Sequence, residues 1–147
     1  VDNVIIRKMT AADIPAVEVL YRQYWNEKSN VEKMAEKFAQ VEPRDDYVFF
    51  CAEQDDKIVA TVMGIVCEEL YGDALPFLLA ENMVVDPACR RQGVGRLIFD
   101  ALEDWGRSKG CRQVLLLTES NREDARAFYT SIGFHPTANA GFKKKLY

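Results

Sequence analysis

Histidine is almost missing from this chain. His135, in the C-terminal turn, is the only one in 147 residues. A cysteine nucleophile wants an imidazole base, and none is evident beside Cys89. The cysteines Cys51, Cys67, Cys89 and Cys111 are widely spaced and form no C-x-x-C pair. That spacing implies no metal site and reads as reduced thiols in a cytoplasmic protein. Cys51 and Cys67 lie in apolar runs and read as packing residues. Cys89 adjoins two arginines, so it is either an activated thiol or an inert one. No apolar run approaches the roughly 20 residues of a membrane span, and the N-terminal VDNVIIRKM lacks the long apolar region of a signal peptide. Val1 in place of an initiator methionine points to processing or to a trimmed boundary. An excess of positive charge is also missing. Nineteen basic and 23 acidic side chains give a net charge of −4, which argues against a nucleic-acid partner. No repeat, low-complexity tract or composition shift marks a linker.

What is present is a chain of one domain's usual length, 48% apolar and 29% charged, which fits a single folded domain over residues 1–147. Its organising stretch runs from Phe77 to Trp105. FLLAENMVV reads as a buried strand with one carboxylate, Glu81, set inside it. Asp86-Pro87 stops that strand, because proline removes a ladder donor. Val94, Leu97, Ile98, Ala101, Leu102 and Trp105 then follow the spacing of one apolar helix face. Between strand and helix lies Arg90-Arg91-Gln92-Gly93-Val94-Gly95. Glycines let a backbone approach a ligand closely, and a helix N-terminus presents unpaired N–H groups. Such a loop can hold a phosphate or pyrophosphate, with the arginines as charge-assisted donors. It can equally be a tight turn with solvated arginines. A Rossmann loop needs a third glycine where Ile98 sits, and a P-loop needs Gly-Lys-Ser/Thr, which is absent.

The string R-x-x-G-x-G, after a strand ending Val84-Val85-Asp86-Pro87, resembles the acetyl-CoA pyrophosphate loop of the GNAT superfamily of N-acetyltransferases. A second string, Ala125 to Phe134, resembles that family's A-x-x-F-Y-x-x-x-G-F signature. The resemblance is good from Phe77 to Phe134 and elsewhere rests on element order. It implies that the backbone of Arg91, Gln92, Gly93, Val94, Gly95 and Arg96 cradles the CoA pyrophosphate, with Arg90 leading the motif.

Along the rest of the chain, Val4–Met9 reads as a strand. A helix follows with Ile14, Val17, Leu20, Tyr21 and Tyr24 on one face, capped by Thr10 or by Asp13. Ser29 to Glu32 looks like a capping box for a second helix bearing Val31, Met34, Ala35 and Phe38. Tyr47–Glu53 and Lys57–Glu69 read as a hairpin pair, the second run long enough to need a bend near Gly64. Gly110 ends the central helix. Arg112–Thr118 reads as a strand buried on both faces. A short helix from Ser120–Glu123 ends near Ile132, and Phe134–Tyr147 reads as one or two short strands with edge lysines. The order gives α/β or α+β with a mixed sheet. The resemblance sharpens this to a mostly antiparallel sheet, splayed between its fourth and fifth strands, with flanking helices.

Glu81 is either a solvated or paired strand residue or a general base facing a cleft, and many GNAT enzymes place a glutamate at this point. The resemblance makes Tyr129 the acid for the departing thiolate. A phenol of pKa near 10 is a ready donor, although a core aromatic is the plain alternative. Asn121 stands one residue out of register for the family's pantetheine contact, and helix capping by Ser120 or Asn121 explains it as well. Met83, Val84 and Val85 would offer backbone groups to the pantetheine as to an added strand, one N–H near Val84 polarising the thioester carbonyl. Tyr21, Tyr24, Trp25, Glu68, Glu69, Tyr71 and Asp73 would line the acceptor pocket, a set that suits a cationic amine or is simply core aromatics and solvated acids. The reading is an acetyl-CoA-dependent N-acetyltransferase in which a primary amine, of a small molecule or a peptide, attacks directly. Neither nucleic acid nor membrane is a partner, and a homodimer is open. The alternative is a non-catalytic acyl-CoA-binding or partner-binding module on the same fold.

Overall fold

A computed structural model of the protein describes residues Asp2–Tyr147. They divide into two compact units, residues 1–115 and 116–147. The first holds strands β1 (Val4–Lys8), β2 (Tyr47–Gln54), β3 (Lys57–Cys67), β4 (Phe77–Val85) and β5 (Val114–Leu115), with helices α1 (Ile14–Trp25), α2 (Val31–Val41) and α3 (Val94–Ser108). The strands form one sheet in the order β1-β2-β3-β4-β5. β1 to β4 pair antiparallel, while β4 and β5 run parallel, joined through α3 as a parallel crossover requires. The second unit carries α4 (Glu123–Ser131).

Strand alternation assigns the faces. On one face Leu102 of α3 packs so closely over Gly64 that a Cβ there would meet its Cδ1 at 2.5 Å. Leu78 fits against Gly106 in the same way, at 2.8 Å. Gly64 is therefore a packing requirement, not the expected bend. It pairs regularly with Val48 and Ala80. The irregularities fall elsewhere, between Ala52 and Glu53 of β2, and opposite Val62 of β3, where β4 inserts an extra residue. The other face carries Cys51, which joins Met9, Ile14, Val17 and Phe38 in a buried cluster with Tyr21 packed against it.

Local signals decide the helix starts. Thr10 precedes a short 3-10 turn (Ala11–Asp13), whose Asp13 carboxylate accepts the Thr10 N–H at 2.7 Å. α1 follows with Pro15 in its first turn, where a missing N–H is harmless; Asp13 stands at its cap position, but the carboxylate faces back to Thr10 and Arg7 and makes no cap hydrogen bond to α1. α2 is capped by Asn30, whose Oδ1 accepts from the Lys33 N–H at 2.9 Å, rather than by Ser29. Ser29 instead gives its N–H to the buried Glu18 carboxylate at 3.2 Å. α4 has Arg122 at its cap position, not Ser120 or Asn121.

Two expected strands are corrected. β5 is only Val114–Leu115, not Arg112–Thr118, and Leu115 is 43% exposed. A strand persists only where a neighbour accepts its ladder, and β4 offers one to β5 only at Leu78 and Leu79. Residues 134–147 form no strand. Phe142, Lys144 and Leu146, expected to alternate with Lys143, Lys145 and Tyr147, are all exposed, as is that second set, so the alternation has no face to bury.

Candidate active site

β4 changes character halfway along. Phe77 to Ala80 lie in the β3 ladder, and Leu78 and Leu79 pair with β5 as well. Beyond Leu79 the β5 ladder stops, so Glu81–Val85 are strand-paired on the β3 side alone. On that side Thr61 pairs with Val84 and Met63 with Glu81, leaving Val62 opposite both Asn82 and Met83. The extra residue is a β-bulge, and Asn82 takes its left-handed turn at φ +52. A one-residue insertion swaps the faces that follow. Leu78 and Ala80 point to α3, while Val84 lies with Thr61 on the α1 face and is 1% exposed. Glu81 shares that α1 face, through its register partner Met63. It is half-buried, and its side chain makes no hydrogen bond or ion pair among the described residues.

β4 ends at a short 3-10 turn (Pro87–Cys89) that Asp86 caps, its Oδ1 accepting the Ala88 N–H at 2.9 Å. Arg90 folds back and donates from Nε to the Val85 carbonyl at 3.1 Å. Gln92 donates its side-chain amide to the Ala88 carbonyl at 3.1 Å. Both side chains thus shape the loop. The backbone alternates in hand, Arg91 at φ +61 and Gly93 at φ +84. Such alternation turns successive N–H groups toward one concave side, an anion-binding nest. Gly93 sits at the cap of α3, whose first N–H groups have no intrahelical acceptor. Val94 is buried and anchors the helix start, Gly95 is half-buried, and Arg91 and Arg96 are exposed. A pyrophosphate therefore fits this loop through its backbone, with Arg91 and Arg96 within the same few residues.

The site thus gathers Glu81, Met83, Val84, Val85 and the 90–96 loop within the first unit. Asn121 and Tyr129 belong to the second. Asn121 is exposed, and its carbonyl accepts the Glu123 N–H at 3.1 Å. Tyr129 packs edge-on against Phe134 at 5.8 Å and tilted against Phe128 at 5.2 Å. Gly133 at φ +104 turns the chain so that the Phe134 N–H returns to the Tyr129 carbonyl at 3.0 Å. The G-F end of the motif therefore serves to seat the tyrosine.

Among the acceptor candidates, Trp25 is 47% exposed, with Tyr21 at 5.4 Å and Tyr24 at 4.5 Å against its ring. In the loop before β4, Glu69 is committed to Arg112 at 2.8 Å, and the Arg112 guanidinium lies 5.1 Å from the Tyr71 ring centre. Glu68, Tyr71 and Asp73 are exposed. Sequence reasoning missed Arg112 and Asn82. An asparagine inside an apolar strand was a readable signal, because asparagine tolerates the left-handed region. Cys89 is not activated by its arginines. Burial, then Asp86, push its thiol pKa up. A cleft of about 320 Å³ lies elsewhere, lined by Lys8, Tyr47, Trp105 and Lys109 among others. Trp105 is eleven residues along α3 from Val94, roughly 16 Å at the helical rise, so that cleft is not part of this site. Among the described residues no cluster of His, Cys, Asp and Glu could hold a metal, and no helix is long and apolar enough to cross a membrane.

An aminoglycoside N(6')-acetyltransferase type 1 of Salmonella typhimurium is 29% identical over 73 residues, 50% of each chain. The match thus spans about half the length of that curated relative. An enzyme of the same name from Stenotrophomonas maltophilia is 28% identical over 137 residues, covering 90% of this chain and 86% of its own. Among solved structures, a putative acetyltransferase of Agrobacterium tumefaciens superposes with a TM-score of 0.88 at 26% identity, covering 96% of this chain and 99% of that one. The sequence profile of the acetyltransferase (GNAT) family matches residues 14–134. That match takes in the bulged strand, the glycine loop and the tyrosine helix together, and on it the chain belongs to the GNAT family.

Proposed function

We propose that the protein is an acetyl-CoA-dependent N-acetyltransferase whose acceptor is an aminoglycoside-type amino sugar. The observation that carries the reaction is the second half of β4. It is bulged, without a β5 partner, and continuous with the nest at the start of α3. Acetyl-CoA supplies an activated thioester when bound. The backbone N–H groups of Arg91 to Arg96 bind its pyrophosphate. The free edge of Met83–Val85 holds the pantetheine amides as a neighbouring strand would, and an N–H near Val84 polarises the thioester carbonyl. The amine arrives as an ammonium, and Glu81 accepts its proton through a water. The Tyr129 hydroxyl offers a proton to the departing thiolate.

The acceptor class rests on the names of the two curated relatives and on the surface around the site. Glu68 and Asp73 are exposed acids free of ion pairs among the described residues, in the same loop as the exposed ring of Tyr71, and Trp25 on α1 is exposed as well. Acids with aromatic faces favour a polycationic sugar. The experiment is a panel. Thiol release from acetyl-CoA is followed with aminoglycosides, polyamines, amino acids and peptides. Release with aminoglycosides above the other classes supports the proposal. CoA binding without release on any amine would identify a non-catalytic module instead.

A further inference from the structure

The stretch between β3 and β4 is held from outside itself. Residues 68–76 form neither helix nor strand. Leu70 is 96% exposed and Tyr71 is 71% exposed. Gly72 at φ +63 and Ala74 at φ +56 are both left-handed, and alanine has no side-chain hydrogen bond to offset that conformation. One bond closes the turn within the loop, from the Ala74 N–H to the Tyr71 carbonyl at 3.1 Å. Among the described residues, the loop's other hydrogen bonds come from Arg112.

Arg112 grips the loop at both ends. Its backbone N–H donates to the Pro76 carbonyl at 2.9 Å. Its Nη2 donates to Glu69 Oε1 at 2.8 Å, and its guanidinium carbon lies 5.1 Å from the centre of the Tyr71 ring. The grip starts from a fixed base. Gln113, next in the chain, accepts the Leu78 N–H at 2.9 Å, and Cys111, just before, donates its N–H to the Gly106 carbonyl at 3.0 Å. A planar guanidinium that bonds a carboxylate and stacks on a ring fixes both in direction, which an ammonium does not. It also sorts the charges. Glu69 is neutralised by Arg112, while Glu68 and Asp73 keep theirs free of ion pairs among the described residues.

Phe77 follows the loop and alternates with Leu79 and Glu81 onto one face of β4. Four residues of strand put Phe77 about 13 Å from Glu81. An amine reacting beside Glu81 reaches the loop only if it carries further rings and charges on that scale. We propose that Arg112 is a positioning residue for acceptor selectivity: by holding Glu69 and Tyr71 it sets the loop so that the Tyr71 ring and the Glu68 and Asp73 carboxylates receive the far end of a multi-ring, polycationic amine. The inference rests on the acetyltransferase and amino-sugar reading above and adds the residue that tells long acceptors from short ones.

Arg112→Gln, Glu69→Gln and the double variant test it against wild type. KM and kcat are measured with kanamycin A, a multi-ring aminoglycoside, and with glucosamine, a single ring. The assay is run in about 0.15 M salt, where exposed charges more than about 8 Å apart are largely screened. CoA affinity is measured alongside. Each single variant should raise KM for kanamycin A about fivefold. Turnover and CoA affinity should stay within about twofold of wild type, because binding remote from the reacting amine is lost equally in ground and transition states. The double variant should be no worse than either single one, since the two residues act as a unit. KM for glucosamine should hold in all three.

Unchanged KM for kanamycin A in both single variants would overturn the proposal. So would opposite shifts, lower for Arg112→Gln and higher for Glu69→Gln, with the double variant back at wild type, because that is the pattern of net charge alone. An equal rise for glucosamine would overturn it too, since the loop would then not be sensing acceptor length. If Arg112→Gln does not fold, Glu69→Gln decides alone, and a wild-type KM in it sinks the idea. Wild type that releases no thiol with kanamycin A removes the amino-sugar reading, and this inference with it. Active wild type with indifferent variants removes only the role of Arg112.

Discussion

The two halves of β4 are made of similar residues and do different work. Phe77–Ala80 is knitted into the sheet, and Leu78, fully buried, sits where Gly64 and Gly106 make room for it. Glu81–Val85 keeps one ladder, breaks it with a left-handed residue, and leaves its other edge without a strand. The first half has every reason to be rigid and no group to offer a ligand. The second has spare backbone groups, a half-buried carboxylate and a continuation into a nest of amides. In the proposed mechanism stability and chemistry are thus separated along nine residues of one strand, and substitutions in the two halves should fail in different assays.

The largest effect is expected in the knitted half. Leu78→Ala empties the space between two glycines and should cost about 2–5 kcal/mol in urea unfolding. The acetyl-CoA affinity of the fraction still folded should be unchanged, and a selective loss of that affinity would break the division. Asp13 extends the structural side. It is 7% exposed and accepts Arg7 at 2.7 Å, and that hydrogen bond holds its pKa at about 2, below the ordinary 3.8. A depressed carboxylate contributes stability that is complete above its unfolded pKa and is lost as pH falls through the folded one. Asp13→Asn should therefore cost about 2 kcal/mol at neutral pH and flatten the decline in stability between pH 4 and pH 2, as read from melting at each pH.

On the functional side, Tyr129→Phe keeps the packing against Phe128 and Phe134 and removes one proton. A thiolate of pKa near 8.5 leaves unaided at a modest penalty, so turnover should fall about tenfold, or ~1.4 kcal/mol in barrier, while the melting temperature holds. Equal turnover would make the ring a packing residue only. The smallest effect belongs to Cys89→Ser. With the thiol pKa raised by burial and Asp86, the thiolate is scarce and turnover should not change. A large loss would bring back a covalent route.

Much of this division was readable from sequence, and the parts that were not have physical reasons. The glycine loop was legible because glycine spacing before a helical period has few other uses. Glu81 was legible because a charge inside an apolar run demands an explanation. The α3 stripe was found but set slightly off. Leu97 is 36% exposed and Phe99 is 1% exposed, because the buried face of α3 takes in Phe99 and Gly106, which lies against Leu78, and periodicity cannot choose between two apolar flanks. β5 was overdrawn because a run of leucines reports strand propensity and not whether a partner is there. Gly64 was read as a bend because sequence does not show Leu102 lying over it. The bulge itself depends on register between β3 and β4, which no local pattern encodes.

The account rests on Glu81 acting as a base from the splayed half of β4, and the pH–rate profile of Glu81→Gln tests this most directly. At neutral pH the variant should turn over more slowly by roughly 10²–10⁴. The deficit should narrow as pH rises and more of the acceptor is already a neutral amine, with acetyl-CoA affinity and melting temperature unchanged. A profile that coincides with wild type at every pH would contradict it.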